Sequence, residues 1–351
     1  MNQILITADN ENLSYMGRIE FDNPKAPKFF YAGSNVTMRF IGTEVSVKLK
    51  NYRFYNKMEL GFLIDGREDK FSIDKNDEEI QIKIADGLEY KEHTITLFKR
   101  QDATHYFEFF GFVIDGEVLP PMPKYERRIE VFGDSVSAGA VCEAADYVGK
   151  CDPENTDGIY DNAWHSYAMT VARNFGAQIH NNAQGGIALF DNTGYYHAPN
   201  YIGLETSYNK LCYFPEYKFT PWDFSKYTPH VVIVAIGQND PHNEGNPDNN
   251  IHDSEYRAKW KAKYKEILSD LRYHYPKATI ILMTTVLMHD PDWDNAIEES
   301  RIELSDSRIY HYMFTRNGAA TPGHPRIAEQ QEMAEELTRF ISNLPYDVWA
   351  E

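Results

Sequence analysis

Three features are scarce or missing in this sequence of 351 residues, and each absence narrows the possible functions. Positive charge is in deficit, because 35 lysines and arginines face 53 aspartates and glutamates, and the net charge at pH 7 is −18. Such a charge repels phosphate backbones and anionic lipid headgroups, which argues against nucleic-acid and membrane partners. No run approaches the roughly 20 apolar residues that a membrane-spanning helix needs. A neutral substrate is compatible with this charge.

Cysteine is also scarce, with only Cys142, Cys151 and Cys212 present. A small, odd number does not form a disulfide framework and favours a reducing compartment, although a bridge between Cys142 and Cys151 across a loop stays open. The first ten residues contain neither the basic nor the apolar segment of a secretory signal. A cytoplasmic location is therefore expected, with an extracellular one as the alternative if a leader precedes this sequence.

Residues 1–124 show the pattern of β-strands, without a helical period. Apolar and polar residues alternate in two segments, Asp-Gly pairs that tolerate positive φ mark tight turns, and the proline-rich run 119–124 indicates a linker. The sequence therefore predicts a β-sandwich, or jelly roll, over residues 1–124 and a second domain over 125–351. The alternating residues are Val36, Met38, Phe40, Val45, Val47 and Leu49, and the turn pairs are Asp65-Gly66, Asp86-Gly87 and Asp115-Gly116.

Residues 125–351 alternate between short apolar segments and amphipathic ones. This alternation predicts an α/β domain with a central parallel sheet that is covered by helices on both faces. Ligands of such sheets bind outside the carboxyl ends of the strands, so the residues just after each strand are the candidates for chemistry. The expected strands are 129–132, 178–181, 231–236, 279–286 and 308–312, and the expected helices are 164–175, 256–271 and the segment after Pro325.

The segment Gly133-Asp134-Ser135 directly follows the first expected strand. A serine in a tight turn at the end of a strand can expose its hydroxyl as a nucleophile, with a backbone N–H beside it. Serine and aspartate are also the residues that most often cap helices. Taken alone, the segment is better explained as a helix cap formed by Ser135 or Asp134.

Three further motifs follow later strands or precede the last helix. The pair Gly185-Gly186 permits close approach of the backbone to a ligand, as an oxyanion hole requires, and Asn239 offers a side-chain amide to the same oxyanion. His324 is a candidate general base. Each has an ordinary alternative, namely a tight turn for the glycines, an Asx turn for Asn239 and chance placement of one histidine among twelve.

Together and in this order, the motifs resemble those of the SGNH, or GDSL-type, hydrolase superfamily from about residue 126 to the end. A β-sandwich ahead of such a domain resembles carbohydrate esterase family 2, whose members remove acetyl groups from sugars such as xylan, mannan and glucomannan, frequently at the primary 6-position. The resemblance implies a serine esterase with Ser135 and His324 as catalytic residues, and with Ser135, Gly186 and Asn239 around the oxyanion. The matching segments are Gly133-Asp134-Ser135, Gly186, Gly237-Gln238-Asn239-Asp240 and His324-Pro325.

The implied function is a carbohydrate O-acetyl esterase that acts on an acetylated oligosaccharide or polysaccharide through an acetyl-enzyme, with no metal or organic cofactor. Trp222 and Trp293, on expected loops near strand ends, are candidates for stacking on a sugar ring, with packing between domains as the alternative. Two other functions stay open, a lipase or thioesterase for longer acyl chains and a carbohydrate-binding protein without catalysis. The sequence does not predict an oligomeric state.

One position departs from the superfamily pattern. The superfamily normally carries aspartate three residues before the histidine, where it holds the ring in one tautomer. Here that position is Thr321, and no carboxylate lies between Asp306 and His324. Some members of family 2 manage with a Ser–His dyad in which a backbone carbonyl holds the imidazole, and the same is expected here. The alternative is a distant acid that reaches the histidine in space, such as Asp290, Asp292 or Asp294.

Overall fold

The computed structural model describes residues 3–54, 56–103, 105–214 and 217–350. The first part of the chain consists of the strands β1 (Ile4–Thr7), β2 (Ser14–Met16), β3 (Ile19–Glu20), β4 (Lys28–Phe29), β5 (Asn35–Gly42), β6 (Val45–Arg53), β7 (Met58–Ile64), β8 (Arg67–Ile73), β9 (Glu79–Ala85), β10 (Lys91–Lys99), β11 (His105–Ile114) and β12 (Glu117–Leu119). They form two six-stranded antiparallel sheets that share one core, which is the predicted sandwich. One sheet has the order β3-β4-β11-β6-β9 with β1 beside β11, and the other has the order β12-β5-β10-β7-β8 with β2 beside β5.

The alternation seen in the sequence places the predicted residues in the sandwich core. Val36, Met38 and Phe40 of β5 are at most 1% exposed, and the apolar residues of β6 pack in the same cluster. Burying one such side chain contributes about 1.5–3 kcal/mol, so these strands supply much of the driving force for the sandwich. Asp65 and Gly66, with φ angles of 52° and 81°, form the predicted turn between β7 and β8.

The second part of the chain is built on a five-stranded parallel sheet with the order β14-β13-β17-β18-β19. Its strands are β13 (Arg127–Gly133), β14 (Ala177–Asn181), β17 (Val231–Ala235), β18 (Thr279–Met283) and β19 (Ile309–His311), and β15 (Lys210–Phe214) and β16 (Lys218–Pro221) form a separate hairpin. The helices are α1 (Tyr167–Phe175), α2 (Leu204–Ser207), α3 (Ser254–His274), α4 (Asp292–Leu304) and α5 (Ile327–Ser342), with 3₁₀ turns at Ala145–Tyr147, Ala163–His165 and Phe224–Lys226. The predicted class, a β-sandwich followed by an α/β domain with a parallel sheet, is confirmed.

Helices cover both faces of the parallel sheet. Helices α1 and α5 pack on one face, and α3 and α4 pack on the other. Ser166 caps the start of α1 by accepting a hydrogen bond from Met169 N at 3.3 Å, and Gly176, with φ of 57°, ends the helix as predicted. Helix α4 was not predicted, because its sequence is mostly polar and gives only a short apolar stripe.

A buried ion pair joins the sandwich to the parallel sheet. The Nη2 atom of Arg18 lies 3.0 Å from Oε1 of Glu130 in β13, and both side chains are fully buried. Breaking such a pair typically costs about 3–5 kcal/mol, since it leaves one charge uncompensated. Residues 120–126 contain no strand or helix, and a domain boundary between 124 and 125 stays a prediction.

The sequence left open a disulfide bridge and argued against a membrane span, and the structure bears on both. Cys142, Cys151 and Cys212 are free, so the bridge between Cys142 and Cys151 that the sequence left open is not formed. Within the described ranges, no helix combines the length and apolar character that crossing a membrane requires.

Candidate active site

Ser135 lies in the turn that follows β13, at the carboxyl end of that strand. The Asp134 carboxylate accepts a hydrogen bond from Val136 N at 3.0 Å, which forms an Asx turn around the serine. Residues 135–143 form successive turns, and in the described part of the chain no helix begins there, so the helix-cap explanation is wrong. The fold therefore presents Ser135, 9% exposed, where ligands of parallel sheets bind.

His324 lies in the loop before α5. It is far from Ser135 in the sequence but next to it in the fold. Its Nε2 atom is 2.7 Å from the Ser135 Oγ atom. This distance is within the range that proton transfer from a nucleophile to a general base requires. The structure thus brings together the two residues that the sequence proposed as a catalytic pair.

A carboxylate holds the other side of the imidazole. The Oδ2 atom of Asp152 is 2.6 Å from His324 Nδ1, and its Oδ1 atom accepts the His324 backbone N–H at 3.0 Å. The expected dyad with a backbone carbonyl is therefore wrong. The acid comes from the loop between β13 and α1, 172 positions before the histidine, so spacing around His324 could not reveal it.

The distant acids named from the sequence have other partners. Asp290 and Asp292 flank the two ring nitrogens of His252, at 2.9 and 2.8 Å. Asp294 accepts a hydrogen bond from His289 Nε2 at 3.0 Å. A distant acid does reach His324, but it is none of these three.

Gly323 explains how the acidic loop comes so close to the histidine. A Cβ atom at this position would lie 2.6 Å from the carbonyl oxygen of Lys150 and 2.7 Å from Asp152 Oδ1. Real Cβ atoms essentially never approach other atoms so closely, so only glycine fits between the histidine and the loop. A glycine beside His324 indicates in the sequence that another segment packs closely there, but it does not identify that segment.

The Asp152 carboxylate is kept ionised. Burial alone would raise its pKa, but hydrogen bonds from His324 and the ion pair with Arg326 Nη1, at 2.8 Å, together hold the pKa well below its usual range. Arg326 is 1% exposed and immediately precedes α5, where its backbone N–H donates to Glu329. A negative charge at this position is the arrangement that can stabilise an imidazolium on His324.

The residues proposed for the oxyanion hole lie on neighbouring loops. The Gln184 backbone N–H donates to Gly133 O at 3.0 Å, which connects the loop of Gly186 to the end of β13. Within the described ranges nothing accepts a hydrogen bond from the Gly186 N–H, and its φ of 75° favours glycine. The Asn239 amide lies 3.1 Å from Ile187 O and 3.4 Å from an Asp134 oxygen, a long contact that a developing oxyanion can replace.

Comparison with known proteins decides the family. Residues 15–123 match the family model described as carbohydrate esterase 2 N-terminal, and residues 131–320 match the model of the GDSL-like lipase/acylhydrolase family. A family two carbohydrate esterase from Clostridium thermocellum, solved with cellohexaose, is 30% identical, with a TM-score of 0.77 over 94% of this chain and 98% of that one. The chain belongs to carbohydrate esterase family 2. It is therefore a carboxylic ester hydrolase, as the sequence predicted.

Two curated proteins are similar to this family 2 member over both folds. Cellulase/esterase CelE of Acetivibrio thermocellus is 30% identical over 95% of this chain, but the chain spans only 40% of that relative's length. An acetylxylan esterase/glucomannan deacetylase of Cellvibrio japonicus is 25% identical over 95% of this chain and 89% of the relative. In both, the similarity includes the sandwich as well as the α/β part.

In this family 2 chain, the two tryptophans proposed for sugar stacking differ in burial. Trp293 is 2% exposed on the inner side of α4, where its ring lies 5.5 Å from that of Trp260, so the stacking role is wrong. Trp222 is half-buried at the junction of the two folds, with the Arg18 guanidinium 4.9 Å from its ring centre. This contact agrees with the packing alternative, and a stacking role for its exposed part stays a prediction. Sequence alone does not show which side of an unpredicted helix is buried.

A buried hydrogen-bond network holds the turn that contains Ser135. The second carboxylate oxygen of Asp134 accepts a hydrogen bond from Gln238 Nε2 at 2.6 Å, and Gln238 Oε1 accepts one from Thr285 N at 3.0 Å. Burial raises the pKa of Asp134. These bonds connect the loops that follow β13, β17 and β18, and they fix Asn239 beside the serine.

Two groups of side chains among the described residues have the ligand types and spacing of a metal site, and neither contains a residue of the Ser135 site. In both groups the histidine is already hydrogen-bonded to a carboxylate, at 2.8 Å for His165 and Glu68. The groups are Glu68, Glu143 and His165, and His252, Asp290 and Asp292.

Proposed function

We propose that this family 2 member is a carbohydrate O-acetyl esterase that deacetylates plant-type polysaccharides or oligosaccharides. The observation that supports this most is the hydrogen-bonded series Ser135–His324–Asp152, with distances of 2.7 and 2.6 Å. Mannan, glucomannan and xylan are the proposed substrates, with the primary 6-position among the expected sites. The name of the Cellvibrio japonicus relative supports this choice.

The first half of the reaction forms an acetyl-enzyme. His324 Nε2 accepts the Ser135 proton as Oγ attacks the acetyl carbonyl carbon, and a tetrahedral intermediate results. The same proton then passes to the sugar oxygen as the ester bond breaks, so the sugar leaves as a neutral alcohol. Asp152 remains ionised throughout and stabilises the transient imidazolium.

The second half releases acetate. A water molecule takes the place of the sugar, gives a proton to His324 and attacks the acetyl carbon. The tetrahedral intermediate collapses, Ser135 recovers its proton from His324, and the site returns to its starting state. The proposed oxyanion donors in both halves are the Ser135 and Gly186 backbone N–H groups and the Asn239 amide, and losing one such donor typically costs about 10²–10³ in turnover.

The surroundings of the site suit a neutral polyhydroxyl compound. A cavity of about 230 Å³ beside Gly186 is lined mostly by polar groups, among them Asn56 from the sandwich and Asp161 from the α/β part. Tyr195 is 58% exposed at its rim and is stacked on His242, with ring centres 3.8 Å apart. An exposed aromatic face beside polar side chains is a combination that can bind the apolar face and the hydroxyls of a sugar.

Substitution of the nucleophile tests the proposal. Ser135→Ala is expected to abolish release of 4-nitrophenol from its acetate ester while the melting temperature stays within a few degrees. Ser225→Ala, an exposed serine on a remote turn, is the matched control and should retain full activity. Wild-type turnover in Ser135→Ala would contradict the proposal.

Chain-length preference and active-site labelling separate the two remaining alternatives. An acetyl esterase should hydrolyse acetyl esters far faster than octanoyl esters, whereas a lipase or thioesterase should show the reverse. A carbohydrate-binding protein without catalysis should fail to react with a fluorophosphonate at Ser135. A cytoplasmic location stays a prediction, which fractionation of the producing cells would test.

A further inference from the structure

The loop of Gly185 and Gly186 is held from the sandwich as well as from its own domain. Asp102 lies in the sandwich loop between β10 and β11, and its Oδ2 atom accepts the Gly185 N–H at 2.8 Å. The same oxygen accepts Gln184 Nε2 at 3.1 Å. One carboxylate oxygen of the sandwich therefore binds two consecutive residues of the loop.

This contact lies beside the nucleophile. A Cβ atom on Gly185 would be 2.5 Å from Asp102 Oδ2 and 3.7 Å from the Ser135 Cβ atom. Asp102 and Ser135 therefore both lie next to the position that a side chain on Gly185 would occupy. The sandwich reaches the reaction centre with a charged group.

The peptide bond between Gly185 and Gly186 is fixed by this arrangement. Gln184 Nε2 also donates to the Gly185 carbonyl oxygen at 3.2 Å, so the amide held by Asp102 in turn holds that carbonyl. In a trans peptide the C=O and the following N–H point in opposite directions. Fixing the Gly185 carbonyl therefore fixes the direction of the Gly186 N–H, the proposed oxyanion donor.

Without such contacts, two consecutive glycines would leave this peptide mobile. Glycine populates more backbone conformations than any other residue, and ordering it has the highest entropic cost. Donors stabilise an oxyanion only to the extent that they are oriented before the reaction. Bonds within the α/β part hold the neighbouring carbonyls of Gln184 and Gly186, at 3.3 and 2.7 Å, and the contacts of Asp102 and Gln184 add the restraint on the peptide between Gly185 and Gly186.

The sandwich loop itself is firmly held. Lys99, fully buried at the end of β10, donates from Nζ to the Gln101 carbonyl oxygen at 2.9 Å and also to the Asp102 carbonyl oxygen. A buried amino group is costly unless its hydrogens are bound, and here both bonds go to backbone carbonyls of the loop. Lys99 thereby places Asp102 opposite Gly185.

We propose that Asp102 is a positioning residue for the reaction, which orients the Gly186 N–H through Gly185 and Gln184 and makes the sandwich part of the catalytic apparatus. This inference rests on the proposed function, in which Gly186 is an oxyanion donor. It assigns the sandwich a role in the rate of the chemical step, in addition to any role in binding glycan.

The test compares Asp102→Ala and Asp102→Asn with the wild-type full chain on 4-nitrophenyl acetate. We expect Asp102→Ala to lower kcat about 10–100-fold, somewhat less than the usual loss of a whole oxyanion donor, with KM changed less than about threefold. Asp102→Asn retains an acceptor oxygen for Gly185 and should recover part of the rate. Asp69→Ala, on the exposed β8 strand, is the control and should match wild type.

A second readout separates orientation of the donor from simple support of the fold. A boronic acid that forms a tetrahedral adduct with Ser135 should bind Asp102→Ala more weakly by about the same factor as kcat falls, since both depend on the oxyanion donors. Gln184→Ala should lower kcat similarly, and the double variant should lose little more than either single one.

The outcomes distinguish this inference from the proposed function. If the wild-type chain and its Ser135→Ala variant are equally inactive, the proposed function fails. If wild type is active and both Asp102 variants keep kcat and boronic-acid affinity within twofold, the positioning role is refuted alone. A lower kcat/KM together with a lower melting temperature, at unchanged kcat and boronic-acid affinity, would also refute it.

Discussion

Replacing Asp152 by asparagine removes the negative charge from the imidazole while preserving the side-chain shape. Asp152 accepts two hydrogen bonds, from His324 Nδ1 and the His324 backbone N–H at 2.6 and 3.0 Å, and forms an ion pair with Arg326 at 2.8 Å. Loss of the corresponding acid in other serine hydrolases lowers kcat by about 10⁴. Here the Asp152 and His324 side chains are 31% and 23% exposed, so water already screens part of the interaction. We therefore expect kcat to fall about 10²–10³-fold, or about 3–4 kcal/mol in activation free energy.

The assay is hydrolysis of 4-nitrophenyl acetate at pH 7, with Asp146→Asn as the control. Asp146 is an exposed aspartate in the same loop and should behave as wild type. If Asp152→Asn keeps kcat within threefold of wild type, the carboxylate has no catalytic part and the dyad account is restored.

The same substitution has a pH-dependent effect on stability. Because the folded-state pKa of Asp152 lies below the unfolded value of about 3.9, its contribution is fully present above that pH and is lost as the pH falls through the folded-state pKa. The melting temperature of Asp152→Asn should therefore lie below that of wild type at pH 6, and the gap should narrow below about pH 4. A gap that is constant with pH would contradict the low pKa.

Three further predictions concern other residues. Gly323→Ala should lower kcat about tenfold or more, because its methyl group would displace the loop that carries Asp152, and small displacements of catalytic groups are costly. An unchanged kcat would contradict the close packing of this loop against Gly323. Burial raises the pKa of Asp240 to about 6, so its contribution to the free energy of unfolding should fall by about 2 kcal/mol between pH 4 and 6. The difference in that free energy between wild type and Asp240→Asn, measured by urea unfolding, should change by this amount, and a difference that is constant with pH would refute the raised pKa. Because Trp293 is buried, Trp293→Ala should lower the free energy of unfolding by about 3–5 kcal/mol without changing the preference among acetylated sugars. A changed preference would indicate that Trp293 contacts the sugar after all.

Local patterns in the sequence were sufficient for most of the fold. The alternation around Val36 and Val45 and the helical stripe of Tyr256, Trp260 and Tyr264 each describe one buried face, and the structure buries those faces. Such patterns depend only on which side of an element meets the core. Helix α4 was missed because its buried face is short and flanked by charge.

The candidate site was predicted only in part, for a related reason. Ser135, Gly186, Asn239 and His324 follow or precede regular elements, so topology alone brings them to one edge of the sheet. Asp152 comes from a long irregular loop, and its position depends on packing against Gly323 that no periodicity records. The contribution of the sandwich was unpredictable for the same reason.

The most direct test of the central claim is capture of the acyl-enzyme. The wild-type chain should be mixed with an acetylated glucomannan oligosaccharide, quenched in acid during turnover, digested and analysed by mass spectrometry. We expect one acetyl group on the peptide that contains Ser135, with more of it in Asp152→Asn if deacylation is slowed more than acylation. Turnover with no acetylated peptide, or with the acetyl group on another residue, would contradict the account.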